Sequence, residues 1–401
     1  MNHMAVPLSS LFQIGSSKRV LKFQWKECGV PFYRGREVTR LALNGSVDNE
    51  LFISEEHYKE LAAKSGVPEA GDIIITAIGT IGNSYIVQPN DRFYFKDASI
   101  LWMKRKSEVS SQFVNLWLKS PLFFEQLDRG NGATVDTLTI QKLQQVKINL
   151  PTLFEQQRIV SLLEQAFEGI AAARANTEKN RQNSLTLFES YLHDIFSQQG
   201  KGWVVKPLAD LCEPARVITY GVIKLGDETP NGVPCLRTSN VRWLNIETQG
   251  IKRIAAKLSA DYSRTILKGG EVLVNVRGTL GGVAVVEPTM TGWNISREVA
   301  MVPVDPLQMN PNFLSYLIGS GVSQQWLGGV KKGATYVGIN LEDLRLLPVS
   351  VPPLDEQMKI VSYLDQRNAE TKHLSSLYQR KIDALDELKQ SLLHQAFSGQ
   401  L

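Results

Sequence analysis

Leu150-Pro151-Thr152-Leu153-Phe154-Glu155-Gln156-Gln157-Arg158-Ile159-Val160 returns 201 residues later as Val351-Pro352-Pro353-Leu354-Asp355-Glu356-Gln357-Met358-Lys359-Ile360-Val361. No proline follows Pro151 up to residue 200, and none follows Pro353 to the end of the chain. Proline at the mouth of a proline-free stretch is a helix-start signal, because its missing N–H costs nothing in the first turn.

The repetition extends upstream. Gly71-Asp72-Ile73-Ile74 and Gly79-Thr80-Ile81-Gly82 return as Gly270-Glu271-Val272-Leu273 and Gly278-Thr279-Leu280-Gly281. Gly29-Val30-Pro31-Phe32-Tyr33-Arg34 matches Gly232-Val233-Pro234-Cys235-Leu236-Arg237. Solenoid units repeat every 20–50 residues or so. A period near 200 is a whole domain with an appendage, copied. The expected organisation is a mixed α/β domain at 1–150, a helical segment at 151–200, a second domain at 201–350 and a second helical segment at 351–401.

Within each domain, Asp72–Ile78 and Glu271–Val276 read as strands, and Phe113–Leu127 and Phe313–Leu327 as one short helix each. Asn310-Pro311 suits the cap and first turn of the second of these helices. In the last segment Leu374, Tyr378, Lys381, Leu385, Leu388 and Leu392 alternate steps of four and three, which draws an apolar seam. The matching first-copy positions, Ala173, Thr177, Asn180, Ser184, Leu187 and Tyr191, are smaller and more polar. Each helix could pack on its own domain; the sharper reading is that the two pack on each other, bulky seam on small, as a spacer. The expected architecture is an antiparallel coiled coil between two similar domains. Ala173, Leu187, Tyr191, Leu374, Tyr378, Leu385, Leu388 and Leu392 are the pairing positions. Some 40 helical residues would span roughly 60 Å.

Composition narrows the function. No run of about 18 apolar residues is present, so no membrane helix is expected, and the N-terminus lacks a basic-then-apolar signal. Cys28, Cys212 and Cys235 cannot all pair and do not have zinc spacing, which points to a reduced, cytoplasmic setting. The five histidines are scattered, so no metal site is expected. Net charge is +4, and the positive excess lies in residues 1–150 and 201–350, whereas the helical segments are slightly negative. The clusters Arg34/Arg36/Arg40, Lys104-Arg105-Lys106, Lys252-Arg253 and Lys331-Lys332 are candidates to meet phosphate, and Arg237 is a further DNA-binding candidate. Arg277 and Arg297, beside Gly and Ser turns, are candidates for bidentate contact with guanine, and Asn83 is a weaker polar counterpart.

No catalytic constellation is visible. The Gly-rich turns lack GxGxxG spacing and a following long helix, so they read as strand-to-strand turns. Asn310-Pro311-Asn312-Phe313 only approximates the Asn-Pro-Pro-aromatic signature of adenine methyltransferases.

Together these pieces resemble the specificity subunit of type I restriction–modification systems. The likeness rests on the Pro-x-Leu-x-Glu-Gln-x-x-Ile-Val opening of each helical segment (Pro151 to Val160, Pro352 to Val361), the matched ends His193-Asp194-Ile195-Phe196-Ser197 and His394-Gln395-Ala396-Phe397-Ser398, the openings Val6-Pro7-Leu8 and Lys206-Pro207-Leu208, and the Gly-Val-Pro-x-x-Arg strand in each copy. The resemblance implies two target-recognition domains, each reading half of a split, asymmetric site in double-stranded DNA. It implies helices that set the gap and dock two modification (methyltransferase) subunits, with restriction subunits joining through the complex. S-adenosylmethionine, ATP and Mg would then belong to those partners, and this chain would carry no cofactor and no catalytic residue. A stand-alone DNA adenine methyltransferase is the alternative reading. The Trp near the domain start, Trp203 in the second copy, has no early equivalent in the first.

Overall fold

The apolar runs Ile73-Ile74-Ile75 and Val272-Leu273-Val274 are fully buried strands at the centre of two equivalent sheets. The computed structural model describes residues 4–127, 137–198, 200–330 and 338–400. It divides into two compact units, Met1–Thr177 with Arg380–Leu401, and Glu178–Gln379.

The first unit contains β1 (Met4–Pro7), β2 (Phe12–Gly15), β3 (Val30–Tyr33), β4 (Phe52–Ile53), β5 (Ile73–Thr76), β6 (Ser84–Ile86), β7 (Tyr94–Phe95), β8 (Ile100–Arg105) and β9 (Lys147–Leu150). They form an antiparallel sheet β2-β8-β5-β6, a sheet β4-β3-β7 in which β3 and β7 run parallel, and the pair β1-β9. The second unit contains β10 (Val204–Pro207), β11 (Thr219–Tyr220), β12 (Val233–Leu236), β13 (Val241–Arg242), β14 (Asn245–Ile246), β15 (Lys252–Ile254), β16 (Val272–Asn275), β17 (Val283–Val285), β18 (Asn294–Ile295), β19 (Val299–Val302) and β20 (Pro348–Val351). Its sheets are β11-β19-β16-β17, β15-β12-β18 and β10-β20, the same order as before. The sequence repeat is therefore a repeat of topology. The main difference follows the Gly-Val-Pro strand: the first unit has a helix, Gly35–Asn44, where the second has the β13-β14 hairpin.

Two repeated motifs are explained by buried polar groups. Asp72 accepts from the Glu69 amide (2.9 Å), the Arg105 amide (3.0 Å) and Trp102 Nε1 (2.8 Å). Glu271 accepts from the Lys268 and Gly269 amides (2.8 and 2.9 Å) and from Arg216 (2.6 Å). Each acid fastens the turn that enters the central strand. Gln156 and Gln357, at most 1% exposed, stitch a helix opening to its domain. Gln156 Oε1 accepts from the Ser110 amide and its Nε2 donates to Pro151 O, both at 2.9 Å. Gln357 Oε1 accepts from the Asn310 amide (2.7 Å), and its Nε2 donates to Gln308 O (3.0 Å) and Pro352 O (2.9 Å).

The short helix expected at Phe113–Leu127 is two, Ser111–Trp117 and Pro121–Leu127, and Phe313–Leu327 is likewise Pro311–Gly319 and Gly321–Gly329. Ser120 and Ser320 break them, each turning its amide and hydroxyl back to the carbonyl three residues earlier. The helix caps follow expectation chemically: Asn310 Oδ1 accepts from the Asn312 and Phe313 amides at 2.9 and 3.2 Å.

Two 45-residue helices, Leu153–Ser197 and Leu354–Ser398, pack together antiparallel and contribute to both units. In the first unit, Ile159, Val160 and Leu163 join Leu393, Ala396 and Phe397 in the domain core. Arg174 meets Asp386 at 3.2 Å, and Lys389 lies 5.0 Å from the Phe167 ring centroid. In the second unit, Phe188, Leu192 and Phe196 join Val361 and Leu364. There Arg367 stacks on both Tyr191 and Tyr363.

The seam differs in register from the spacing of leucines. Leu187, Leu374 and Leu388 are 45%, 39% and 46% exposed, whereas Phe188, Thr371 and Ile382 are buried. Tyr378, Leu385, Leu392, Ala173 and Tyr191 are half-buried. The second helix carries the leucine stripe beside a more polar one that holds Thr371 and Ile382. Its ends decide between them, because Gln357, Val361 and Leu364 at one end and Leu393, Ala396 and Phe397 at the other are committed to domain cores. Polar seam positions on the first helix satisfy themselves: Thr177 Oγ1 donates to Ala173 O and Ser184 Oγ to Arg181 O, both at 2.7 Å. Among the described residues no helix is long and apolar enough to cross a membrane.

Candidate nucleic-acid interface

In the second unit, parallel pairing of β12 and β18 sets Leu236 beside Ile295. Arg237 and the Ser296-Arg297 pair therefore leave the sheet at the same end. The Ser296 amide donates to Leu236 O at 2.8 Å, and the Arg297 amide to Val222 O at 2.9 Å. β16 ends here too, since the Val276 and Arg277 amides donate to Glu298 O at 2.9 and 3.2 Å. One loop edge thus gathers Arg237, Arg277 and Arg297.

Arg277 and Arg297 are exposed. The Arg277 guanidinium carbon lies 5.7 Å from the Tyr220 ring centroid, a cation–π contact that limits its rotamers. Arg237 is half-buried; its Nη2 donates to Gly250 O at 3.3 Å and its amide to Asn240 Oδ1 at 3.1 Å. Tyr220, Arg277, Asn340, Glu342 and Arg345 line a groove of about 350 Å³ beside this edge. Arg345 is held by the Ile218 carbonyl at 2.8 Å. Lys331 and Lys332 lie outside the described residues.

The first unit has the same frame with different side chains. β3 pairs parallel with β7, Tyr33 beside Phe95, and the Lys96 amide donates to Tyr33 O at 2.8 Å. By strand register Ile78 occupies the place of Arg277 and Asp97 that of Arg297. Ile78 is 46% exposed. The turn after it needs Gly82: φ is +93°, and a Cβ would meet the Phe124 ring at 2.7 Å. Asn83 holds this turn, donating to Thr39 Oγ1 at 3.2 Å and Thr80 O at 3.3 Å.

Arg34 and Arg36 are engaged within the protein. Arg34 forks onto Glu37 at 2.8 and 3.1 Å, and Arg36 contacts Glu37 and Glu50. Burial pushes the Glu37 carboxyl up, but hydrogen bonds from Arg34, Arg36 and the Arg34 amide prevail and hold it down at about 2. Lys104 and Arg105 close the far end of β8 and Lys106 follows it, about 13–20 Å along the strand from Ile100 at ~3.3 Å per residue. Lys104 is 3.6 Å from Glu69, and the Arg105 amide is bound to Asp72. The structure does not bring this trio together with Asn83 and Arg34.

Sequence reasoning missed Tyr220, Asp72, Glu271, Gln156 and Gln357. The last four carried a signal, since each belongs to a repeated motif. Among the described residues no group of three His, Cys, Asp or Glu could hold a metal ion. Burial pushes the Cys212 and Cys235 thiols up to about 12, away from reactive thiolates.

Comparison with known proteins gives the same architecture. A solved chain described under complex assembly and conformational transition of the type I R-M system aligns over 99% of this chain and 98% of its own, with TM-score 0.74 at 21% identity. The HsdS subunit from Thermoanaerobacter tengcongensis aligns over 99% and 97%, with TM-score 0.56 at 20% identity. In sequence, the chain is 24% identical over 293 residues to the type I restriction enzyme EcoBI specificity subunit of Escherichia coli, covering 68% of this chain and 62% of that one. It is 31% identical over 160 residues to the putative type I restriction enzyme specificity subunit S.HindORF215P of Haemophilus influenzae, covering 40% and 39%. The matches thus span less than two thirds of either curated relative. The family described as "Type I restriction modification DNA specificity domain" matches twice, over residues 2–181 and 200–379, and the chain belongs to that family.

Proposed function

We propose that this chain is the DNA-specificity subunit of a type I restriction–modification complex. Each unit reads one half of a bipartite, asymmetric site in double-stranded DNA. The long helices set the gap between the halves and dock two methyltransferase subunits, and restriction subunits join through the complex. Adenine methylation from S-adenosylmethionine and ATP- and Mg-dependent cleavage belong to those partners. This chain contributes address, not chemistry.

The observation that carries the reading is one frame used twice with different side chains at the same loop edge. Arg277 and Arg297 in the second unit stand where the first has Ile78 and Asp97. Arginine offers bidentate donors to guanine, isoleucine can only pack on a thymine methyl, and aspartate accepts from cytosine N4. Two readers with unlike side chains select unlike half-sites, which is what an asymmetric target requires. Arg34 and Arg36 act here as positioning residues that fix the helix beside this edge.

The test is to express the chain with its methyltransferase subunits in a methylation-free host and map modified adenines. Two short, unrelated half-sequences separated by a fixed unread gap support the reading. A single continuous palindrome would overturn it.

A further inference from the structure

The segment between β2 and β3, residues 16–29, carries Lys18, Arg19, Lys22 and Lys26 against one acid, Glu27. Its counterpart between β11 and β12, residues 221–232, carries Lys224 against Asp227 and Glu228. The two loops occupy the same place in the frame with opposite net charge. The sequence Lys18-Arg19-Val20-Leu21-Lys22-Phe23-Gln24-Trp25-Lys26 also interleaves cations with apolar groups.

The fold sorts this loop into an inward and an outward face. Val20 is buried in a cluster with Val30, Phe32, Ile53, Leu61 and Tyr94, and Trp25 packs against that cluster. Lys18, Arg19, Lys22 and Lys26 are all exposed. None of the four is ion-paired with a described acid. Between them stand Phe23, 78% exposed, and Leu21, 44% exposed.

The backbone is pinned at both ends. Ser16 Oγ donates to Ile100 O (2.9 Å), Ser17 Oγ to Phe95 O (2.6 Å), and the Lys18 amide to Tyr94 Oη (2.9 Å). Lys26 and Phe52 exchange amide–carbonyl bonds at 2.8 and 3.1 Å. Ile100 and Phe95 mark the end of the sheets where Ile78, Lys96 and Asp97 emerge, so the loop flanks the reading edge of the first unit. A rigid loop that holds four unpaired cations around an outward phenylalanine loses little entropy when it meets a polyanion.

We propose that Lys18–Lys26 is a DNA-gripping loop peculiar to the first unit. Its four cations engage backbone phosphates flanking that unit's half-site, and Phe23 wedges against the bases or sugars of the adjoining groove. The second unit lacks this grip and depends on its arginine-rich edge. The proposal rests on the DNA-reading function above.

The experiment measures affinity of the full chain, assembled with its methyltransferase subunits, for duplexes containing its mapped site across a salt series. Neutralising all four cations (K18Q/R19Q/K22Q/K26Q) should flatten the slope of log affinity against log salt by about 3.6, at ~0.9 per phosphate contact. The mapped sequence should not change. Single variants K22Q and K26Q, each expected to flatten the slope by about 0.9, keep the test decisive should the quadruple variant misfold. F23A should weaken binding by about tenfold at an unchanged slope. Unchanged slopes, or an altered recognition sequence, would overturn the phosphate grip, and unchanged F23A affinity would overturn the wedge. A wild-type complex that showed no DNA binding would instead sink the underlying function.

Discussion

Replacing Gln357 with leucine keeps the volume of the side chain and removes three buried hydrogen bonds. The Asn310 amide loses its acceptor, and the Gln308 and Pro352 carbonyls lose a donor. Water cannot replace these bonds without opening the site, because Gln357 is fully buried. A typical bond contributes about 1 kcal/mol net, and a stranded buried group costs about 1–3 kcal/mol. The expected loss for the second unit is therefore about 3–5 kcal/mol. Gln156→Leu removes two such bonds and should cost the first unit less, about 2–4 kcal/mol. Urea titration of the full chain, read by hydrogen exchange, assigns each loss to its unit. The amides of Asn310, Asn312 and Phe313 should lose protection in the Gln357 variant, while those around Ser110 should not. A cost below about 1 kcal/mol would mean that the glutamine is incidental, and the explanation offered for the repeated helix opening would fail.

Further outcomes follow from the same contacts. Ile382→Asp would bury an unpaired charge and should cost about 3–5 kcal/mol, whereas Leu388→Asp on the exposed stripe should stay within about 0.5 kcal/mol; thermal unfolding of both variants checks the register. Glu37 has a depressed carboxyl value near 2, so its contribution is fully present above its ordinary value near 4.5 and fades as pH falls toward 2. Glu37→Gln should remove that part of the acid slope, and an identical acid-unfolding profile would refute the assignment. Inserting one heptad in each long helix should widen the unread gap by about three base pairs, since seven residues add ~10 Å and duplex DNA rises ~3.4 Å per base pair. Methylation mapping of an active insertion variant with an unaltered gap would count against the spacer role.

Much of the fold was legible because duplication prints itself in the sequence. A motif that recurs about 200 residues on, in the same order as its neighbours, needs no knowledge of three-dimensional contacts. The central strands were legible for a local reason, as uninterrupted apolar runs behind a Gly-acid turn. The helix seam was not. Leu374, Lys381 and Leu388 sit one position from Ser375, Ile382 and Lys389, and a heptad pattern alone does not decide between adjacent stripes. That choice is made where Phe397 meets Phe113 and where Val361 meets the second core. The surroundings of the basic clusters were hidden for a similar reason. The Glu37 carboxylate that Arg34 and Arg36 share, and the strand register that puts Lys104–Lys106 at the end of β8 away from Asn83, follow only from the fold. Arg237, Arg277 and Arg297 are 20 to 60 residues apart, and they share an edge because β12 and β18 pair in parallel and the end of β16 bonds to Glu298.

The most direct measurement is methylation mapping of Arg277→Ala beside wild type, in the same host and with the same methyltransferase subunits. Loss of a bidentate guanine contact is worth about 1–3 kcal/mol of discrimination. The account predicts relaxation at one base position in one half-site, with the other half and the gap unchanged. An unchanged motif would remove Arg277 as a reader, and changes spread over both halves would contradict the central claim that two units read independently.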